Sequence, residues 1–152
     1  MTTFTIARVA ASDLDDLLPL MRAYCDFYSV SPSDDDLLAM SRALIDDPQR
    51  EGVQLVARAP DGRAAGFASL FWTWDTTEGG RVAVMNDLYV DADARGGGVG
   101  TSLIEACRAE ARERGTRVLA WKTALDNTTA QSVCERIGAE RAQWLDYSLP
   151  LE

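Results

Sequence analysis

The spacing of apolar residues changes several times along this chain, and each change marks an element. Thr3 to Val9 alternates, with Phe4 and Ile6 opposite Thr3, Thr5 and Ala7, which predicts a strand. From Leu14 the period lengthens: Leu14, Leu17, Leu18, Met21, Cys25 and Tyr28 recur at helical spacing. Ser12 is placed to cap that helix, with Asp13, Asp15 and Asp16 favourable in its first turn. Pro19 falls inside the pattern and is expected to kink or divide the helix. After Ser31-Pro32-Ser33 a second amphipathic helix starts at Asp34, carries Leu37, Leu38, Met40, Ala43, Leu44 and Ile45, and stops before Pro48. Val53 to Ala59, Ala64 to Trp74 and Arg81 to Val90 read as three antiparallel strands, the first two joined by Pro60-Asp61-Gly62-Arg63. Val99, Leu103, Ile104, Cys107 and Ala111 predict a helix to about Arg114, stopped by Gly115. A strand from Arg117 to Thr123, a helix from Thr128 to Ile137 and a last strand from Gln143 to Leu149 complete the chain. The order β-α-α-β-β-β-α-β-α-β, without repeats or a linker, predicts one α/β domain over residues 1–152. Its sheet should be mixed, mostly antiparallel, with helices on both faces.

The densest candidate chemistry lies between the long strand and the helix after it. Arg95-Gly96-Gly97-Gly98-Val99-Gly100-Thr101 exposes bare backbone N–H groups at a helix start. Those donors and the positive end of the helix suit a phosphate or pyrophosphate. A Walker A loop is excluded, because Thr101 follows Gly100 with no lysine between them. A dinucleotide loop would need an acid at the end of the next strand, and that strand ends Trp121-Lys122-Thr123. A glycine-rich turn without a ligand is the bland alternative.

Arg95 to Gly100 matches, at every fixed position, the Arg/Gln-x-x-Gly-x-Gly/Ala loop that cradles acetyl-CoA pyrophosphate in the GNAT superfamily of N-acetyltransferases. Asn127-Thr128-Thr129-Ala130-Gln131-Ser132-Val133-Cys134 resembles that family's second motif, Asn-x-x-Ala-x-x-x-Tyr, and the predicted element order is similar over nearly the whole chain. Phe27-Tyr28 and Trp121-Lys122-Thr123 further resemble the branch containing yeast histone and polyamine acetyltransferases. The resemblance implies acetyl transfer from acetyl-CoA to a primary amine by direct attack in a ternary complex. It implies that backbone groups of Leu88, Tyr89 and Val90 hold the pantetheine arm, with a backbone N–H near Leu88 polarising the thioester carbonyl. Arg95, Gly96, Gly97, Gly98, Val99, Gly100 and Thr101 would hold the pyrophosphate, unless Arg95 only shapes the loop, and Asn127 and Ala130 would flank the pantetheine, with Asn127 alternatively or also capping the next helix. Asp87 is the first choice of general base, through a water, although Asn86 stands where some polyamine-acetylating relatives have glutamate. Cys134 replaces the tyrosine proposed to protonate the CoA thiolate; it is a candidate acid or a small core residue. Tyr28, Trp72 and Trp74 are candidates to line an amine pocket by cation–π attraction, or are packing residues. A homodimer is compatible with the family.

Composition narrows the alternatives. The 152 residues are 47% hydrophobic, enough for one real core, and no apolar run approaches the roughly 18 residues that span a bilayer. No secretory signal is evident at the N-terminus, and three cysteines, an odd number with no zinc spacing, suggest a reducing cytoplasm without a metal. The absence of histidine removes Ser-His-Asp and Cys-His mechanisms and the usual general base. A net charge of −9 argues against nucleic acid. The charge is uneven: residues 13–51 carry ten acids against three arginines, residues 95–117 five arginines against three glutamates. That division suits a cationic small molecule or lysine-bearing peptide on one flank and a polyphosphate on the other. A non-catalytic acyl-CoA-binding or regulatory module, and a nucleotide-binding domain, are the competing functions.

Overall fold

The computed structural model describes residues 3–151. They divide into two compact units, Met1–Lys122 and Thr123–Glu152.

The first unit contains β1 (Thr5–Arg8), α1 (Leu14–Phe27), α2 (Asp34–Asp46), β2 (Gly52–Arg58), β3 (Ala64–Asp75), β4 (Gly80–Val90), α3 (Val99–Arg114) and β5 (Leu119–Ala120). The five strands form one sheet in the order β1-β2-β3-β4-β5. Every neighbouring pair is antiparallel except β4 with β5, which α3 joins as a parallel crossover. The mixed α/β architecture expected from the sequence is therefore present.

Alternation along β3 separates the two faces of the sheet. Phe67 packs with Leu17, Met21 and Leu37, so odd-numbered residues of β3 face α1 and α2. Gly66 lies on the other side: a Cβ there would meet Leu103 of α3 at 3.3 Å and the Tyr89 carbonyl at 2.8 Å. Only glycine lets the strand approach so closely at this point. Val99, Leu103, Ile104, Cys107 and Ala111 are the buried stripe of α3, recurring at the period that put them on one face in the sequence. Burial pushes the Cys107 thiol up to about 12, which leaves it an inert core group.

Local chemistry corrects two expectations. Ser12 does not cap α1. A 3-10 turn over Ala11–Asp13 precedes the helix, Asp13 is its N-cap residue, and the Asp13 carboxylate accepts from the Ala10 N–H at 2.8 Å. The Arg58 guanidinium adds a second hold on Asp13 at 2.7 Å, and these bonds lower the carboxyl below its usual range, the Ala10 bond most. Pro19 does not divide the helix, which runs unbroken from Leu14 to Phe27. The ring removes one N–H, and the carbonyl it would have served belongs to Asp15 on the exposed side. By contrast Ser33 caps α2 as a polar residue ahead of an apolar run should, accepting from the Asp36 N–H at 3.1 Å.

The second unit holds α4 (Thr128–Arg136), capped by Asn127 and ended by Gly138 at φ 88°. Residues 139–151 carry no regular element, so the last strand expected over Gln143 to Leu149 is not among the described strands. Alternation signals a preference for burying one side, but a strand forms only by pairing. β5 is likewise two residues long where seven were expected. Among the described residues no helix is long and apolar enough to cross a membrane.

Candidate active site

The site is built on a change in how β4 is held. From Arg81 to Val84, β4 bonds to β3 on one side and to the Arg117–Ala120 segment on the other: Arg117 N donates to Arg81 O, Ala83 N to Val118 O. The parallel pairing ends at Val84 with Ala120. Beyond it, Met85 to Val90 keep β3 but have no partner in β5.

The register also shifts at that point. Ser69 pairs with Asp87 and Leu70 with Met85, so Asn86 is an extra residue, a β-bulge. Leu70 is on the α3 face and Ser69 on the α1 face, so the bulge turns Asp87 toward α1 although Met85, two residues earlier, points toward α3. It also inverts the backbone. Ala83 N faces β5, whereas Asp91 N donates back to Ala65 O on β3 at 2.8 Å. Alternation from Asp91 then places the N–H groups of Val90 and Leu88 on the open side of β4.

Asp87 is 8% exposed and lies under the C-terminal turns of α1. The Asn86 side-chain amide donates to its Oδ1 at 3.0 Å. Tyr24 of α1 donates its hydroxyl to the Asn86 carbonyl at 3.2 Å, tying the helix to the bulge. Its ring packs on Phe67, Tyr89 and Tyr28, with centroids 5.9, 6.5 and 5.1 Å away. Burial raises the Tyr24 hydroxyl far above the usual phenol range, and the neighbouring Asp87 and Tyr28 raise it further. Tyr24 is therefore a fixed proton donor here, not a base. Sequence reasoning missed it, singling out Tyr28 one turn later, at the exposed end of α1.

Trp72 and Trp74 are not brought to Asp87. Both are even-numbered residues of β3 and belong to the opposite face. Trp72 is buried, donates Nε1–H to the Pro48 carbonyl at 2.7 Å, and has Arg114 of α3 5.9 Å from its ring. Trp74 is exposed under Arg81, about 17 Å along the strand from the Asp87 partner Ser69 at the usual rise per residue.

The open half of β4 runs into the glycine loop through a 3-10 turn over Ala92–Ala94. Arg95 donates Nε–H to the Val90 carbonyl at 3.0 Å, with its guanidinium 5.7 Å from the Tyr89 ring, so it shapes the loop and still has free donors on its outer edge. Gly96 and Gly98 are left-handed, at φ 84° and 83°, a conformation glycine adopts without strain. Gly98 is the N-cap of α3 and offers no side-chain cap; no acid stands in the first turn. The amides of Val99, Gly100 and Thr101 precede the first i−4 bond, made by Ser102 N to Gly98 O at 3.0 Å. An uncapped, acid-free helix start with two left-handed glycines before it is chemically fit to take an anion.

In the second unit, Asn127 Oδ1 accepts from the Ala130 N–H at 3.1 Å. Asn127 is thus a helix cap, and the Ala130 amide is already bonded. Cys134 lies on α4, half-buried and not in a disulfide. Among the described residues there is no cluster of three metal-ligating side chains.

A family model described as acetyltransferase (GNAT) family matches residues 17–139. An uncharacterized N-acetyltransferase, YhfO, of Bacillus subtilis (strain 168) is 30% identical over 135 residues, 89% of each chain. An aminoglycoside N(6')-acetyltransferase type 1 of Stenotrophomonas maltophilia is 32% identical over 124 residues, 79% of each. The solved aminoglycoside N-acetyltransferase AAC(6')-Iy, in complex with CoA, has the same fold, with a TM-score of 0.85, 23% identity, and 99% and 96% of the two chains covered.

Proposed function

The chain belongs to the acetyltransferase (GNAT) family, and from that premise we propose that it moves an acetyl group from acetyl-CoA to a primary amine. One observation carries the proposal: β4 loses its β5 partner beyond Val84, and its open edge leads straight into an uncapped glycine loop. An extended pantetheine arm is the kind of ligand that can pair with such an edge, and a pyrophosphate the kind that fits such a loop. Residues 17–139 match the family model as one stretch that enters both units, which supports one acetyltransferase domain.

In this reading the loop amides from Gly96 to Thr101 and the outer edge of Arg95 hold the pyrophosphate. Leu88 and Val90 contribute backbone N–H groups, and the Leu88 N–H polarises the thioester carbonyl as charge builds on its oxygen. Tyr89 contributes its backbone and supports Arg95. The amine nitrogen bonds to the carbonyl carbon, the carbon–sulfur bond breaks, and the nitrogen's surplus proton passes to Asp87 directly or through a water. The CoA thiolate takes its proton from water. Asn127 keeps its cap role on α4, accepting from the Ala130 N–H.

The acceptor we assign is a cationic small-molecule amine or a lysine-bearing peptide. The ten acids of residues 13–51 and the Asp87 carboxylate support a cation, and Tyr28 is the aromatic residue placed beside Tyr24 to receive it. The named acceptor of the Stenotrophomonas relative, an aminoglycoside, is in that class. Three free thiols support a reducing, cytoplasmic setting. The test is thiol release from acetyl-CoA over a panel of spermidine, an aminoglycoside, a lysine peptide and glutamate, at low and high salt. Faster turnover of the cations, fading with salt, is expected. CoA binding without thiol release from any amine would make this a non-catalytic acyl-CoA module instead.

A further inference from the structure

Among the described residues four polar side chains, Ser41, Gln54, Ser69 and Asp87, are buried, and three of them lie in one row across the sheet. Gln54 of β2 pairs with Ser69 of β3, and Ser69 pairs with Asp87 of β4. All three point to the α1 face, and they are 3%, 0% and 8% exposed. The Gln54 amide nitrogen donates to Ser69 Oγ at 3.0 Å and lies 3.8 Å from the Met21 sulfur. Sulfur there is a weak acceptor only, already taking the Ser41 hydroxyl at 3.6 Å. The price is a Gln54 Oε1 buried without a partner. A buried, unsatisfied acceptor destabilises a fold, so an apolar residue would serve packing better.

We propose that Gln54 and Ser69 are positioning residues for Asp87, an inference that rests on the assignment of Asp87 as proton acceptor. Because Ser69 Oγ accepts from Gln54, its own proton is left to point elsewhere. The directly opposed residue on the same face is Asp87, at the close range of cross-strand neighbours. The row thus backs the buried carboxylate from the sheet side, while Asn86 donates to it from its own strand and Tyr24 holds the Asn86 carbonyl from the helix. A carboxylate confined on those sides keeps its remaining lone pairs for the incoming ammonium.

The experiment is a set of double-mutant cycles. Gln54→Met, Ser69→Ala and Asp87→Asn are made singly, and the first two also in the Asp87→Asn background, in the full chain. Rates are read at high pH, where the acceptor is already a free amine and Asp87→Asn retains measurable turnover. Thermal midpoints are read for every variant. Gln54→Met and Ser69→Ala should each lower kcat about fivefold to twentyfold, with the KM for acetyl-CoA within twofold. Gln54→Met should do so without lowering the thermal midpoint, since it removes the orphaned acceptor. In the Asp87→Asn background either change should cost less than twofold. Equal losses in both backgrounds, or kcat unchanged in both single variants, would overturn the positioning role while leaving Asp87 as the base. If Asp87→Asn itself keeps parental kcat, the base assignment falls first and this inference with it. Ser69→Ala failing to fold would leave the Gln54→Met cycle, in which the serine is intact, to decide.

Discussion

The two halves of β4 are made of the same kind of sequence and do different things. Arg81 to Val84 is gripped on both sides, by β3 and by the segment leading into β5. Asn86 to Val90 is gripped by β3 alone. Nothing in composition separates Arg-Val-Ala-Val-Met from Asp-Leu-Tyr-Val as strand formers. The distinction comes from neighbours: a backbone N–H that meets another strand is structure, and one that meets none is open to another partner.

The comparison can be attacked at each half. The largest effect expected is in the open half. Asp87→Asn should reduce kcat at pH 7 by roughly a hundredfold to ten-thousandfold, the range of a lost general base. Its thermal midpoint should hardly move, and steady-state assays returning less than a threefold loss would remove Asp87 from the mechanism. In the gripped half the damage should be to folding. Ala83→Pro deletes the N–H that bonds Val118 and should cost about 3 kcal/mol or more by denaturant titration. Acetyl-CoA affinity measured on the folded fraction should be within threefold of the parent; a selective loss of affinity with intact stability would erase the contrast between the halves.

Smaller effects sharpen the contrast rather than break it. Gly98→Asp forces a side chain into a left-handed backbone, at φ 83°, and aims a carboxylate at the proposed pyrophosphate. No neighbouring atom lies within 4 Å of the added Cβ, so packing is not the issue. Calorimetry should give a tenfold or greater loss of CoA affinity; equal affinity would mean the loop does not hold the phosphates. The smallest effect is at Cys134→Ala, which should keep kcat within threefold. A loss beyond about a thousandfold, roughly 4 kcal/mol of transition-state stabilisation, would make that thiol the acid.

The glycine loop was legible because its signal is local: four glycines, a missing lysine and a helix period fit within a dozen residues. Gly115 and Gly138 were legible as helix stops for the same reason, and both are left-handed, at φ 83° and 88°. Asn86 was read only as a position in a motif, because a bulge is a difference in count between two strands and neither strand shows it alone. Tyr24 was hidden by distance, its carbonyl partner being 62 residues away. It also sits where a helix pattern expects ordinary packing. Gln54 looked like any polar residue in a strand until its burial and its row were visible. The two tryptophans misled for a related reason: alternation along β3 is plain in the sequence, but which face meets Asp87 depends on the bulge. Trp144, Leu145, Tyr147 and Leu149 promised a strand by spacing, yet spacing names no partner.

The bulge at Asn86 has a consequence for how this chain tolerates change. It absorbs one residue of length: β4 sets six residues, Met85 to Val90, across the five β3 places from Leu70 to Gly66. Deleting Asn86 would let Asp87 follow Met85 in plain alternation, still opposite Ser69 and still toward α1, with the amides of Leu88 and Val90 still outward. A deletion beyond it, at Leu88 for instance, could be absorbed only by straightening the bulge, which would set Asn86 opposite Ser69 and turn Asp87 toward α3. A one-residue gap between otherwise similar chains therefore means different things on the two sides of Asp87.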